Sequence, residues 1–300
     1  MSMWTALFSG GRRWSDPGLN VLTLRVGTHF VTLRVTWGDA ERPRRRTHAE
    51  RGNDQCCLRI EEGMKMSQAT KIIIADTPMR WQDVTAVARH GAMLELSGHA
   101  WARIDNAQAI VQRIVTSGER AYGVNTGLGA LCNVSLKTEQ LSQLSRNTLL
   151  SHACGVGPVL SDEQTRAIIC AAIINYSHGK SGLHPQVVHA LLALLNHGIT
   201  PQVPSQGSVG YLTHMAHIGV ALLGVGNVSY RGQIVTAQHA LQAEGLQPVV
   251  LGAKDGLCLV NGTPCMTGLS CLALADAHHL LQWADVIGAM SFEAQRGQID

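Results

Sequence analysis

The sequence predicts a mainly α-helical protein, on three observations. Aromatic residues make up only 4% of the 300 residues while Ala, Leu, Gly, Ile and Val are abundant, which suits close helix packing better than an aromatic- and β-branched-rich sandwich. Ser161 and Gln164 form an S-x-x-Q capping box directly before an apolar run. Thr263 to about Ala294 carries a long apolar helical pattern in which Gly268 and Gly288 would let neighbours approach closely. With 45% hydrophobic and 15% charged residues the chain can bury a sizeable core.

In chain order, residues 1–63 hold ten Arg, no Lys and seven acids, so the whole net charge of +3 lies there. This stretch lacks a sustained helical or strand period, apart from residues 21–36, which could pair as a short hairpin. Lysine-free arginine enrichment resembles translated GC-rich sequence more than a nucleic-acid-binding arm. Residues 1–65 are therefore expected to be a disordered or mis-started extension, with no nucleic-acid partner. From Met66, KIIIAD reads as a strand, residues 80–90 and 100–117 as helices, and YGVNTGLGAL at 122–131 as a glycine-rich loop.

The capping box opens a helix to about His178, and Pro185 starts another that stops at Gly198. Tyr211–Leu223 reads as a helix ending at Gly224, and Val228–Val235 as a hairpin turning on Arg231-Gly232. No unbroken apolar run approaches the ~20 residues that span a bilayer, so no membrane partner is expected. The eight cysteines form no C-x-x-C pair and several sit inside apolar patterns, which fits buried thiols in a reducing cytoplasm.

Several motifs fail on spacing. Gly179-Lys180-Ser181 evokes a phosphate loop, but Ile174 stands where that motif needs glycine, and a helix precedes rather than follows. The 122–131 loop is not G-x-G-x-x-G, and no G-x-S-x-G elbow is present. His214 and His217 lie three apart on one helix, but without an H-E-x-x-H glutamate or a third ligand they read as polar helix-face histidines, and no metal is expected.

Four separated segments carry a more specific signal: YGVNTGLG at 122–129, LLSHACGVG at 149–157, PSQGSVG running into LTHMAHIG over 204–219, and KDGLCLVNGT at 254–263. Together they resemble the histidine and aromatic amino acid ammonia-lyases. The resemblance covers roughly residues 66–300 and implies the N-terminal part of the family's aspartase-like helical bundle. An α/β-containing cap would span residues 66–160 and the start of the bundle residues 161–300. It also implies a cytoplasmic homotetramer acting on a small amino acid, L-histidine, tyrosine or phenylalanine.

Such enzymes use no bound cofactor. Their electrophile, methylidene-imidazolone, forms from an internal Ala-Ser-Gly tripeptide, in which the glycine nitrogen attacks the first residue's carbonyl and the serine then loses water. The turn needs small residues because it folds tightly back on itself. In the family that tripeptide sits between GSVG and a segment like DLAPLAHM. Here Gly210 is followed directly by Tyr211, which replaces the aspartate, and His217 matches the histidine. The flanks Gly207, Ser208, Gly210 and Tyr211 are present and the cyclising residues are not, so the chain is expected to be inactive as written. Thr116-Ser117-Gly118 has a permissible composition but should cap a helix.

By resemblance, Tyr122 is the lid-loop tyrosine that helps deprotonate substrate. His152 faces the substrate side chain, which argues against a phenylalanine-specific pocket, and Asn261 lies near the prosthetic group and the substrate carboxylate. Pro264 departs from the glutamine common after NGT. A second catalytic tyrosine, a carboxylate-binding arginine and a glutamate are expected beyond Asp300. The alternative reading is a non-catalytic paralogue that binds a ligand or assembles with an active lyase.

Overall fold

A computed structural model describes residues 20–26, 29–35, 71–208 and 212–295. The chain divides into two compact units, residues 1–67 and 68–300. In the first, β1 (Asn20–Val26) and β2 (His29–Val35) form an antiparallel hairpin pairing Asn20 with Val35 and Val26 with His29, the short hairpin expected over 21–36. The remainder of the expected 1–65 extension lies outside the described residues.

The second unit is predominantly helical. β3 (Lys71–Ile74) and β4 (Met93–Leu96) pair in parallel, and α1 (Trp81–Arg89) is the crossover between them. Asp83 starts α1 by reaching back to the Arg80 amide at 2.8 Å. α2 (Gly98–Ser117) begins at a Ser97 cap and ends at Gly118, whose φ of 70° is the left-handed stop expected of the Thr116-Ser117-Gly118 sequence.

α3 (Thr138–His152) was not legible as a helix. Its polar sequence has a weak apolar stripe, and its start depends on Gln140 accepting from the Lys137 amide at 3.0 Å. β5 (Val156–Val159) leads into α4 (Asp162–Ser177), which opens with the reciprocal Ser161–Gln164 box read from the sequence. α4 is apolar almost all round and forms the axis of the core. Arg166 emerges from it and donates to the Leu195 and Val87 carbonyls at 2.9 and 2.8 Å, capping the ends of two neighbouring helices.

α5 (Pro185–Asn196) follows, with Leu191, Leu194 and Leu195 buried. β6 (Thr200–Pro201) and β7 (Pro204–Gln206) precede α6 (Thr213–Leu222). The hairpin of β8 (Asn227–Tyr230) and β9 (Gln233–Thr236) turns on Arg231-Gly232, then come α7 (Ala237–Ala243), α8 (Asp255–Val260) and α9 (Pro264–Ala294). β7 pairs with β5, and β6 with β8. Among the described cysteines, Cys170, Cys258 and Cys265 are buried thiols, and burial pushes the Cys170 thiol up to about 12.

α9 corrects two expectations. Gly268 does permit close packing, since a Cβ there would lie 2.6 Å from the Ala167 backbone on α4, but Gly288 faces open space. The segment Asp255–Ala294 is also long and apolar enough to cross a membrane by length and composition. Counting unbroken runs missed it because Asp276, His278, His279 and Asp285 interrupt the apolar residues without making the average polar. The first turns of α9 instead pack as a core helix, burying Cys265, Gly268 and Leu272 against α4. Farther along, Leu274, Leu280, Leu281, Ile287 and Phe292 are exposed.

Candidate functional site

The described flanks of the 204–213 loop fold onto the segment after α3. Gly207 has φ of 135°, and a Cβ there would stand 3.1 Å from Gly155 Cα and from the Thr213 methyl, so both conformation and space require glycine. Gly155 is equally confined, with its missing Cβ 3.0 Å from His217 Nε2. Its amide donates to that nitrogen at 3.0 Å, which leaves the imidazole proton on Nδ1. Burial, and secondarily the neighbouring His214, lower the His217 pKa and hold the ring neutral.

Ser208 accepts from the Thr213 amide at 3.3 Å and so caps α6. Leu212, just before the helix, has φ 55° and ψ −84°, a strained conformation for a branched residue, and its amide donates to the Val260 carbonyl at 3.1 Å. Gly210 and Tyr211 lie outside the described residues.

His214 does not lie on the polar helix face that the sequence suggested: it is buried, with Nε2 3.3 Å from the Ser205 carbonyl and Nδ1 unpaired. α6 is helical, as its period predicts, but it is covered nearly all round, so even its polar positions face protein. Among the described residues no three His, Cys, Asp or Glu side chains form a metal-binding group.

The Leu212–Val260 bond brings the loop beside the end of α8, where Asn261 follows. Asn261 is exposed, and its side-chain amide donates back to the Leu257 carbonyl at 2.8 Å. That bond fixes the rotamer and leaves the side-chain oxygen for a ligand. α8 is held by Asp255, a residue the sequence reading passed over inside KDGLCLVNGT. Fully buried, Asp255 accepts from the His184 and Gly252 amides at 2.9 and 2.7 Å. Burial raises its pKa, and the two amides work against that rise. An acid followed by glycine before a short apolar run was the available signal. Gly256 then lets α8 meet α3, since a Cβ would lie 2.4 Å from the Ser145 carbonyl.

His152 is the last residue of α3. Its Nδ1 lies 2.8 Å from the Thr148 carbonyl, so the proton sits on Nδ1 and Nε2 is left to accept. Tyr122 is 59% exposed, and its hydroxyl is 3.4 Å from the Gly129 amide of its own loop. That loop is fastened by Thr126, which accepts from the Gly123 amide at 3.2 Å, and leans on α8, where a Cβ on Gly123 would overlap Leu257. The fold thus gathers the Gly207–Ser208 flank with Gly155 and His217, and sets Asn261 beside them through Leu212. The loop of Tyr122 touches the same short helix, while the tyrosine side chain is held within its own loop.

Segments far apart in the chain thus meet in one helical unit at the start of α6 and the end of α8. The aromatic amino acid lyase family model matches residues 79–300, and the chain belongs to that family. It is 42% identical over 229 residues to a histidine ammonia-lyase of Treponema denticola, covering 75% of this chain and 45% of that protein. Among solved structures it is similar to histidine ammonia-lyase from Trypanosoma cruzi, with a TM-score of 0.72, 31% identity and coverage of 76% of this chain and 45% of that one. It is also similar to tyrosine aminomutase from Streptomyces globisporus, with a TM-score of 0.72, 31% identity and coverage of 75% and 43%. The chain spans about half the length of the relatives it matches.

Proposed function

We propose that this chain supplies the amino-acid-binding frame of an ammonia-lyase without the self-made electrophile, and so does not deaminate an amino acid by itself. The observation that carries this is the junction: Gly210 directly precedes Tyr211, where the family's reaction needs three small cyclising residues. The residues present do not fit the methylidene-imidazolone. Gly207-Ser208-Val209 offers a branched residue in place of the required glycine, and the Ser208 hydroxyl is engaged as a helix cap.

Within the frame, His152 presents an accepting Nε2 to an imidazole or phenol, Asn261 offers its amide oxygen to the substrate's amino-acid end, and Tyr122 sits on the exposed loop that rests on α8. Histidine or tyrosine is the substrate class this set suits. The exposed apolar residues of α9 support a second reading, in which this chain assembles with further lyase helices in a family-typical cytoplasmic homotetramer or with an active paralogue.

Purified protein given L-histidine should show no rise in the ultraviolet absorption of the conjugated product. A peptide map over residues 200–225 should return the mass of the printed sequence. A peptide heavier by Ala-Ser-Gly, or by that tripeptide less two waters, together with product formation, would overturn the reading.

A further inference from the structure

A cleft of about 670 Å³ opens at the far end of α4, between the loop after β3, Arg103 in the second turn of α2 and the residues that follow α4. It neighbours the Asn261 segment, since Asn175 Nδ2 lies 3.8 Å from where a Cβ on Gly262 would stand, but Asn261 does not line it. Its volume falls in the range of small-molecule sites, ~300–1,000 Å³.

One polar set at the cleft is already satisfied. Arg103 donates from Nε to the Ser177 carbonyl at 2.9 Å, covering the negative end of α4, and from a terminal nitrogen to Asp76 at 2.6 Å. The other Asp76 oxygen meets His99 Nδ1 at 3.0 Å, so the carboxylate at this cleft is fully engaged. A second set is not. Thr77, Asn175, His178 and Lys180 line the same space; all four are exposed to solvent, and their side chains make no hydrogen bond or ion pair among the described residues, so they are open to a ligand. Gly179 makes this possible, because its φ of 65° and a missing Cβ only 2.4 Å from the Arg103 carbonyl let the chain turn tightly and bring Lys180 out beside the cleft.

The walls are completed by Ile74, Pro78, Met79 and Ile174. The lining sets Arg103 and Lys180 against one carboxylate, Asp76, so the cleft presents an excess of positive charge beside apolar walls, a combination that selects a small organic acid with its carboxylate on Lys180 and its body on the apolar side. Inorganic phosphate would leave that wall unused, and a neutral molecule would gain nothing from the charge. The glycine-lysine-serine sequence that failed as a nucleotide loop thus follows the end of a helix, where no free backbone amides are offered to a polyphosphate.

We propose that this cleft is a second small-molecule site, taking an organic monocarboxylate and separate from the frame around Asn261. The test titrates the full chain with benzoate as probe and benzamide as its uncharged counterpart, by calorimetry. Benzoate should bind and benzamide should not. Lys180→Gln should weaken benzoate binding by about tenfold, in line with loss of a charge-assisted contact, while Asn261→Ala leaves it unchanged. Thermal melts identical to the parent chain verify that each variant is folded. The proposal is overturned if benzoate does not bind, if benzamide binds as well, if Lys180→Gln binds undiminished, or if Asn261→Ala abolishes binding.

Discussion

The same substitution should have opposite effects at two glycines of α9. Gly268 sits where α9 crosses α4, and an alanine Cβ there would lie 2.6 Å from the Ala167 carbonyl carbon and oxygen and 2.7 Å from the Ile168 nitrogen. Those atoms are helix backbone and cannot swing aside. An ordinary carbon contact needs about 3.5 Å, so α9 must move away by close to 1 Å and loosen Cys265 and Leu272, both buried at that crossing. Overpacking of this kind costs ~1–3 kcal/mol, and the helix-propensity gain of alanine over glycine returns only ~1 kcal/mol.

Gly288 meets nothing within 4 Å, so there the propensity gain stands alone. Gly268→Ala is therefore expected to destabilise by up to about 2 kcal/mol, and Gly288→Ala to stabilise by about 0.5–1 kcal/mol. Urea unfolding followed by circular dichroism measures both midpoints. If the two variants shift in the same direction by similar amounts, the packing argument at the α4–α9 crossing is wrong.

Asp255→Ala orphans two buried amides, those of His184 and Gly252, and should destabilise the unit by ~2–4 kcal/mol in the same urea assay. A loss below ~1 kcal/mol would mean that water replaces the carboxylate. Glu244 accepts from the Tyr230 hydroxyl first, and also pairs with His197 and Arg231, which lowers its pKa to about 2. Because the folded value is depressed, its contribution is present above the usual glutamate range and fades as pH falls from about 4.5 through about 2. Glu244→Gln should flatten that part of the acid-unfolding curve, and an unchanged curve would show that the cluster carries no linkage.

Much of the helical frame was legible because local chemistry wrote it. The Ser161–Gln164 box, Pro185, Gly118 and the Arg231-Gly232 turn each act within a few residues of themselves, and the structure has each where the sequence put it. α3 was passed over because it makes its contacts through a few scattered side chains such as Leu141, Ser145 and Leu149, and its partners α6 and α8 lie far along the chain. His214 read as a polar helix-face histidine for a related reason, since periodicity gives the face of a helix but not what covers it.

By itself, the sequence determined the helical class, the family and the Gly210–Tyr211 junction, because residue identities and their order carry those facts directly. Only the tertiary structure decided that Asp255 holds α8, that Gly268 and not Gly288 marks a helix crossing, and that Lys180 joins Thr77 and Asn175 at one cleft. Each depends on backbone from distant parts of the chain arriving within a few ångströms, and no local pattern of residues specifies that distance.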